Sequence, residues 1–266
     1  MNETKRNLDE IKGYWTRQAE TYGPSYVASW SDRCVIEMEI EQILRRMEEN
    51  TKIIDIGCAN GFSTLRFAKE KNIDIHGVDY IPEMIRGAHK NHEAVKEGLL
   101  GKVSFGTGDI CNLDVPSNTF DQAIVIRVII NLENWENQKW ALNEVCRVVR
   151  PGGTFLLSEA TVQGWRKMNK FRNEWGLSDI PVPSFNFYLD EELVVQALMD
   201  QAELVEIVNF SSSYFVGTRV IKPLICKLTG REENIANPDL EWNKWFSQMP
   251  AIGDYGTQKL FIFRKK

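Results

Sequence analysis

The chain has 266 residues, enough for one large α/β domain and too few for two full-sized domains joined by a long linker. Its 43% hydrophobic and 26% charged residues exclude a mostly disordered chain, and a formal charge of −5 leaves no electrostatic footprint for nucleic acid. The opening MNETKRNLDEIKGYW has no apolar run of signal-peptide length, and no later window is long and uncharged enough to span a bilayer, so a cytoplasmic protein acting away from membranes is expected. Cys34, Cys58, Cys111, Cys146 and Cys226 are scattered singly and the three histidines complete no ligand set, which predicts reduced thiols and no metal.

Taken in chain order, the periodicity predicts a helix over Leu8 to Glu20 and a second over about Asp32 to Glu49, whose apolar face carries Val35, Ile36, Met38, Ile40, Ile43, Leu44 and Met47. Short, continuously apolar runs follow at Lys52 to Ile56, Asp74 to Val78, Val103 to Thr107, Gln122 to Ile126 and Thr154 to Ser158. Continuous rather than alternating apolarity implies strands covered on both faces, as in a parallel sheet wrapped by helices. The intervening helices are Ser63 to Lys71, Pro82 to Glu97 and Trp135 to Val149, the last closed by the breaker Pro151-Gly152-Gly153. The fold class is therefore a doubly wound α/β sheet whose ligands lie at the carboxyl ends of the strands.

After Glu159 the rhythm gives way to QGWRKMNKFRNEWGLSDIPVPSFNFY, then a helix at about Asp190 to Ala202 and a strand at Leu204 to Asn209. An irregular stretch, Ser211 to Asp254, precedes a last strand at Gln258 to Arg264. Two long excursions from one sheet suggest lids or binding elements. The expected organisation is one domain: a helical cap at 1–50, a cofactor-binding core at 51–160, and lid or substrate insertions at 161–202 and 210–256.

The stretch IIDIGCANGFSTL places Asp55, Gly57, Ala59 and Gly61 where the first strand turns into a helix. Small residues there let a ligand approach the backbone, but the spacing is G-x-A-x-G rather than the dinucleotide G-x-G-x-x-G, and Asp55 would repel a pyrophosphate. Asp79 ends the next strand in the position where a carboxylate accepts from ribose hydroxyls, and Asp109 ends the one after. A nucleoside with a positive centre fits several carboxylates better than a nucleotide does. With GVDYIPEM, GDI, TFDQAIVIRVIINL and EVCRVVRPGGTFLLSE in the same order and spacing, residues 50 to 160 resemble the class I S-adenosylmethionine-dependent methyltransferases.

That resemblance implies a seven-stranded, mostly parallel Rossmann-like sheet with a reversed final hairpin, N-terminal helices, and S-adenosylmethionine as cofactor. It implies that Gly57, Cys58, Ala59 and Gly61 border the methionine part, with Asp55 beside them, and that Asp79 holds the ribose. Tyr80 and Met84 would flank the adenine, Asp109 and Ile110 would address its amino group, and Ile126 and Arg127 would line the other side. Tyr14 and Tyr22, with Trp15, would close the site from the N-terminal helix or pack as core.

Glu159 is expected as a general base, or as a group holding a backbone amide or a substrate ammonium. Asn131 stands where many small-molecule relatives carry a histidine; it orients a substrate hydroxyl or caps the next helix, and cannot take a proton at neutral pH. The stripe Trp165, Met168, Phe171, Trp175 is core beneath a lid or the wall of a pocket in which Arg172 or Arg166 meets an anion and Asn169, Asn186 and Tyr188 fix orientation. The expected activity is methyl transfer to a small polar metabolite, first at a hydroxyl of a sugar or natural-product intermediate. Amine or carboxyl methylation, or cofactor binding without turnover, are the alternatives. The expected partner is a small-molecule substrate, with no nucleic acid and no membrane; Trp242, Trp245 and Phe246 are expected to cover the site or mediate homodimer formation.

Overall fold

The apolar runs become seven strands: β1 Lys52–Ile56, β2 Asp74–Asp79, β3 Lys102–Thr107, β4 Phe120–Ile126, β5 Val149–Ala160, β6 Ala202–Val208 and β7 Gln258–Lys265. The computed structural model describes residues 8–232, 234 and 236–266; the part of the expected cap before Leu8 lies outside them, as do Glu233 and Ile235 of the later insertion. The strands form one sheet in the order β3-β2-β1-β4-β5-β7-β6. Every pair is parallel except those made by β7, which runs antiparallel to both β5 and β6. This is the expected doubly wound Rossmann-like sheet with its reversed final hairpin.

Strand alternation sends one residue set to each side. Ile54, Ile56, Val125, Phe155, Leu157, Phe261 and Phe263 pack in one cluster with side chains from α5 Trp135–Val148 and α7 Glu191–Leu198. Ile53, Ile75, Ile124, Ile126, Leu156, Leu260 and Ile262 pack in the other with α2 Arg33–Leu44, α3 Phe62–Glu70 and Met168 of α6 Val162–Glu174. Helices α1 Leu8–Tyr22 and α4 Pro82–Val95 complete the wrap, and Ala19 of α1 joins Met84 of α4 in a small cluster of its own. The single-cysteine expectation holds: all five thiols are free.

Three expectations need correction. The Pro151-Gly152-Gly153 breaker does not separate helix from strand, because β5 begins at Val149 and runs through it with a register irregularity against β4. Gly153 fits there because a Cβ would meet Asp121 O at 2.5 Å. The second helix ends at Leu44, well before Glu49. The stretch Ser211 to Asp254 is largely helical: α8 Ser212–Val216, a π-helical segment Gly217–Ile221, α9 Lys222–Thr229 and α10 Glu241–Ser247. The first three run on without a break from Ser212 to Thr229, and the π-helical stretch in their middle changes the pitch and so breaks the 3.6-residue repeat that periodicity reads.

In this insertion Trp242 donates Nε1 to Gly217 O at 3.0 Å, and Phe246 occupies the space above Gly217. Trp242 and Phe246 are thus packed within the insertion, while Trp245 remains 60% exposed. No helix among the described residues is long and apolar enough to cross a membrane.

Candidate functional site

A cavity of about 840 Å³ opens at the carboxyl ends of β1, β2 and β4, roofed by α1 and the 183–188 segment. That volume lies within the range of small-ligand sites, and the position is where a doubly wound sheet binds its ligand.

The turn after β1 forms one wall. Gly57 has φ 77° and Ala59 φ 48°, both left-handed, and the amides of Gly57 and Cys58 donate to Val78 O at 2.7 and 3.0 Å. Gly57 is required by space as well as by torsion, since a Cβ would fall 2.1 Å from Val128 Cγ2. Asp55, Gly57, Cys58 and Ala59 all line the cavity. Gly61 does not: it caps the N-terminus of α3 at φ 74°, and a Cβ there would meet the Phe105 ring at 2.7 Å.

Asp79 ends β2 with one oxygen accepting from Ala59 N and the other from Ile81 N, each at 2.9 Å. Burial pushes its carboxyl up to about 6 despite those two bonds. Asp55 is raised further, to about 7, by burial, with Thr64 Oγ1 donating to it at 2.5 Å and Asp79 adding repulsion. Asp109 is exposed, and one of its oxygens accepts from Cys111 N at 2.8 Å. Tyr80, Met84 and Ile110 line the same end, and Ile126 and Arg127 line the β4 side.

This donor set fits S-adenosylmethionine. The turn 57–61 contains no lysine or arginine for a pyrophosphate, its glycine leaves backbone open to close approach, and the carboxylates step across successive strand tips. Each Asp79 oxygen keeps a lone pair for a hydroxyl after taking its backbone amide.

The opposite end is aromatic and amide-lined. Tyr14 stacks on Phe185 with ring centroids 4.5 Å apart, and Trp15 meets both rings edge-on. Asn186 donates Nδ2 to Asn131 Oδ1 at 2.9 Å, and Asn131 donates Nδ2 to Arg127 O at 2.8 Å. Asn131 therefore does not cap the following helix; Asn134 does, accepting from Asn137 N. Tyr22 and Tyr188 also face the cavity.

Glu159, Asn169 and Arg172 do not line the cavity. Glu159 is fully buried on β5, with Oε1 accepting from Val128 N at 2.8 Å and Ile129 N at 2.7 Å, and burial raises its carboxyl to about 8. It shapes the turn that follows β4, behind the cavity wall. Asn169 exchanges two hydrogen bonds with the Ile180 backbone. Arg172 donates to Ser178 O and to Arg219 O. Both are buried side chains of α6 whose hydrogen bonds go to backbone, fastening the chain that leads to the roof and, through Arg219 O, the later insertion.

Several lining residues escaped the sequence reading. Phe185 sits between residues that were singled out, and Trp30 stands alone in a loop; neither has a periodic signal. Gln258 begins β7 and joins Ser158 in donating to the buried Glu39. Glu39 itself was legible as a lone acid on the apolar face of α2, four residues from both Val35 and Ile43.

Residues 47–210 match the model of the family described as "Methyltransferase domain". Among curated proteins, the chain is 29% identical over 128 residues to sterol 24-C-methyltransferase erg-4 of Neurospora crassa, covering 48% of this chain and 31% of that protein. It is 26% identical over 148 residues to an O-methyltransferase of Pyrenophora dematioidea, covering 55% and 51%. The chain thus matches about a third of the length of the first relative and half of the second. Among solved structures, the PH0226 protein of Pyrococcus horikoshii superposes with a TM-score of 0.60 at 18% identity over 92% of this chain and 95% of that one, a likeness of fold. With more than half of its residues inside the family model and the strand-tip carboxylates in place, the chain belongs to the class I S-adenosylmethionine-dependent methyltransferases.

Proposed function

We propose that this chain transfers a methyl group from S-adenosylmethionine to a heteroatom of a small, ring-bearing metabolite, with a hydroxyl of a natural-product scaffold as the first acceptor. The observation that carries this reading is the two-ended cavity: carboxylates and an open-backbone turn at one end, three aromatic rings and an amide pair at the other.

S-Adenosylmethionine, when bound, supplies a carbon already activated by its sulfonium. What remains for the chain is alignment and the exclusion of water. Asp79 would accept from the ribose hydroxyls, Tyr80, Met84 and Ile110 would flank the base, and Asp109 would accept from its amino group. Gly57, Cys58 and Ala59 would run beside the methionine part, with Asp55 behind them. Tyr14, Trp15 and Phe185 offer ring faces to an acceptor, and the Asn131–Asn186 pair offers it amide hydrogen bonds.

Among the described residues, the cavity wall carries no histidine and no glutamate, and its aspartates are Asp9 at the rim and Asp55, Asp79 and Asp109 at the cofactor end. An acceptor that needs little help losing a proton suits such a wall. Among hydroxyls this favours a phenol or enol over a sugar alcohol, and the same observation supports a neutral amine or a carboxylate as the second reading.

The test is transfer of labelled methyl from the cofactor to a panel of phenols, amines, carboxylic acids and sugars, with products identified by mass. Labelled phenol or amine products are expected. Turnover confined to sugars and abolished in Glu159→Gln would restore Glu159 as the base and overturn this reading. Tight cofactor binding with no product from a broad metabolite extract would point to a binding protein instead.

A further inference from the structure

Arg127 follows β4 in a left-handed conformation, φ 55°, uncommon for a residue with a side chain. The turn breaks the alternation of the strand and leaves the side chain against the cavity. Two neighbours fix the guanidinium there. Nη1 lies 3.1 Å from Glu39 Oε2, and the Cζ atom sits 4.6 Å from the centre of the Trp30 ring. Trp30 lines the cavity too, as does Gln258, whose amide donates to Glu39 at 3.0 Å.

A guanidinium presents five N–H donors in a planar fork, and a carboxylate takes two of them side by side. Glu39 Oε2 and Nη1 form an ion pair, both atoms withdrawn from solvent, without the alignment of a hydrogen bond. The rest of the fork has no acceptor in the described protein within hydrogen-bond reach, although the side chain is only 14% exposed. Glu39 and Trp30 therefore hold the group in place without using it up. Arg127 also lines the same cavity as Gly57, Cys58 and Ala59, the turn that would run along the methionine part.

We propose that Arg127, held by Glu39 and Trp30, is a carboxylate-recognition site in this cavity. The carboxylate belongs either to the amino-acid tail of the cofactor or to the methyl acceptor. This deepens the proposed function and rests on its reading of the cavity as a cofactor site.

Calorimetry separates the two sources. S-Adenosylhomocysteine and 5′-methylthioadenosine share the nucleoside and sulfur, but only the first carries a carboxylate; benzoate and benzamide form the corresponding pair for the acceptor end. The variants are Arg127→Lys, which keeps a cation beside Glu39 without the fork, and the double variant Glu39→Gln/Arg127→Gln, which leaves no buried charge unpaired. If the cofactor tail is the ligand, the double variant loses about tenfold or more in affinity for S-adenosylhomocysteine while 5′-methylthioadenosine is unchanged, and Arg127→Lys falls between. If the acceptor is the ligand, S-adenosylhomocysteine is unaffected and benzoate binding is lost relative to benzamide. A purely structural Arg127 would separate neither pair between wild type and either variant, and that result overturns the proposal. Failure of the wild type to bind either nucleoside would instead remove the cofactor reading, which the benzoate pair does not depend on.

Discussion

Asn186 reaches Asn131 across 2.9 Å, and that one amide–amide hydrogen bond joins the roof of the cavity to the turn after β4. Asn131 is itself anchored on Arg127 O, and next to the pair Phe187 N donates to Ile130 O at 2.6 Å. Segment 183–188 therefore hangs on the same turn that Glu159 shapes from behind through Val128 and Ile129. Roof, Asn131–Asn186 pair and β4 turn form one mechanical unit.

Asn186→Ala removes this side-chain bond and leaves the backbone bond of Phe187 and the Gln138 amide, which donates to both Ile129 O and Phe187 O. Loss of one hydrogen bond of about 1 kcal/mol makes local opening roughly fivefold more frequent. Hydrogen exchange should quicken by that factor at Phe187 and its neighbours, with exchange in β1 and β4 unaltered. Equal protection in wild type and variant would show that the roof is held elsewhere.

Asp79 gives a prediction in pH. Its carboxyl is raised to about 6 by burial, so below that value it is protonated and loses acceptor capacity. Affinity for S-adenosylhomocysteine should fall as pH drops through about 6. The unliganded fold responds in the opposite sense: the stability conferred by the proton is complete below the unfolded value of 3.8 and lost as pH rises through about 6. Asp79→Asn sets an amide N–H against the N–H of Ala59 or Ile81 and should weaken binding roughly 10- to 100-fold, as expected for losing hydrogen bonds to a charged group. Binding to the variant should lack the step near pH 6, and titration calorimetry across pH 5 to about 8 reads both effects.

The sheet was legible because parallel strands buried on both faces announce themselves as continuous apolar runs; Lys52 to Ile56 was delimited to the residue. The carboxylate-lined end of the cavity was legible for a related reason. Its residues sit at strand tips, so Asp55, Asp79 and Asp109 are located as soon as the strands are. The aromatic end has no such ruler. Asn169, Arg172 and Asn186 lie on a helix and a coil whose orientation only tertiary packing decides, and two of those three face inward to bind backbone. Glu159 illustrates the same limit on a strand: it lies near the end of β5 as expected, but alternation turns it toward the side of α5 and α7, while Ser158 faces Glu39 on α2.

Glu159→Gln should alter stability rather than rate. The carboxyl is raised to about 8 because burial penalises its charge more than the amides of Val128, Ile129 and Ile130 offset it. The proton therefore stabilises the fold fully below the unfolded value of 4.5, and that stability is lost as pH rises through about 8. A glutamine Oε1 can accept from the same amides and carries no charge at any pH. Thermal unfolding followed from pH 5 to about 9 should show the wild type losing melting temperature toward alkaline pH more steeply than the variant. Parallel curves would mean that Glu159 is ionised throughout and that its unpartnered Oε2 is hydrated.

Gly57→Ala tests whether the turn is shaped by torsion, by space, or by both. The added methyl would sit 2.1 Å from Val128 Cγ2, and φ 77° is unfavourable for any side chain. Overpacking and left-handed strain each cost on the order of 1–3 kcal/mol. Val128→Ala opens space at that contact but leaves the torsion untouched. The double variant should therefore recover part of the stability lost in Gly57→Ala, and a mutant cycle by denaturant unfolding measures the recovered part as the coupling between the two positions. Strict additivity would mean that the β1 turn moves away from Val128 instead of pressing on it. In that case S-adenosylhomocysteine affinity should fall in Gly57→Ala and stay low in the double variant, because the displaced turn no longer borders the cavity where the methionine part would lie.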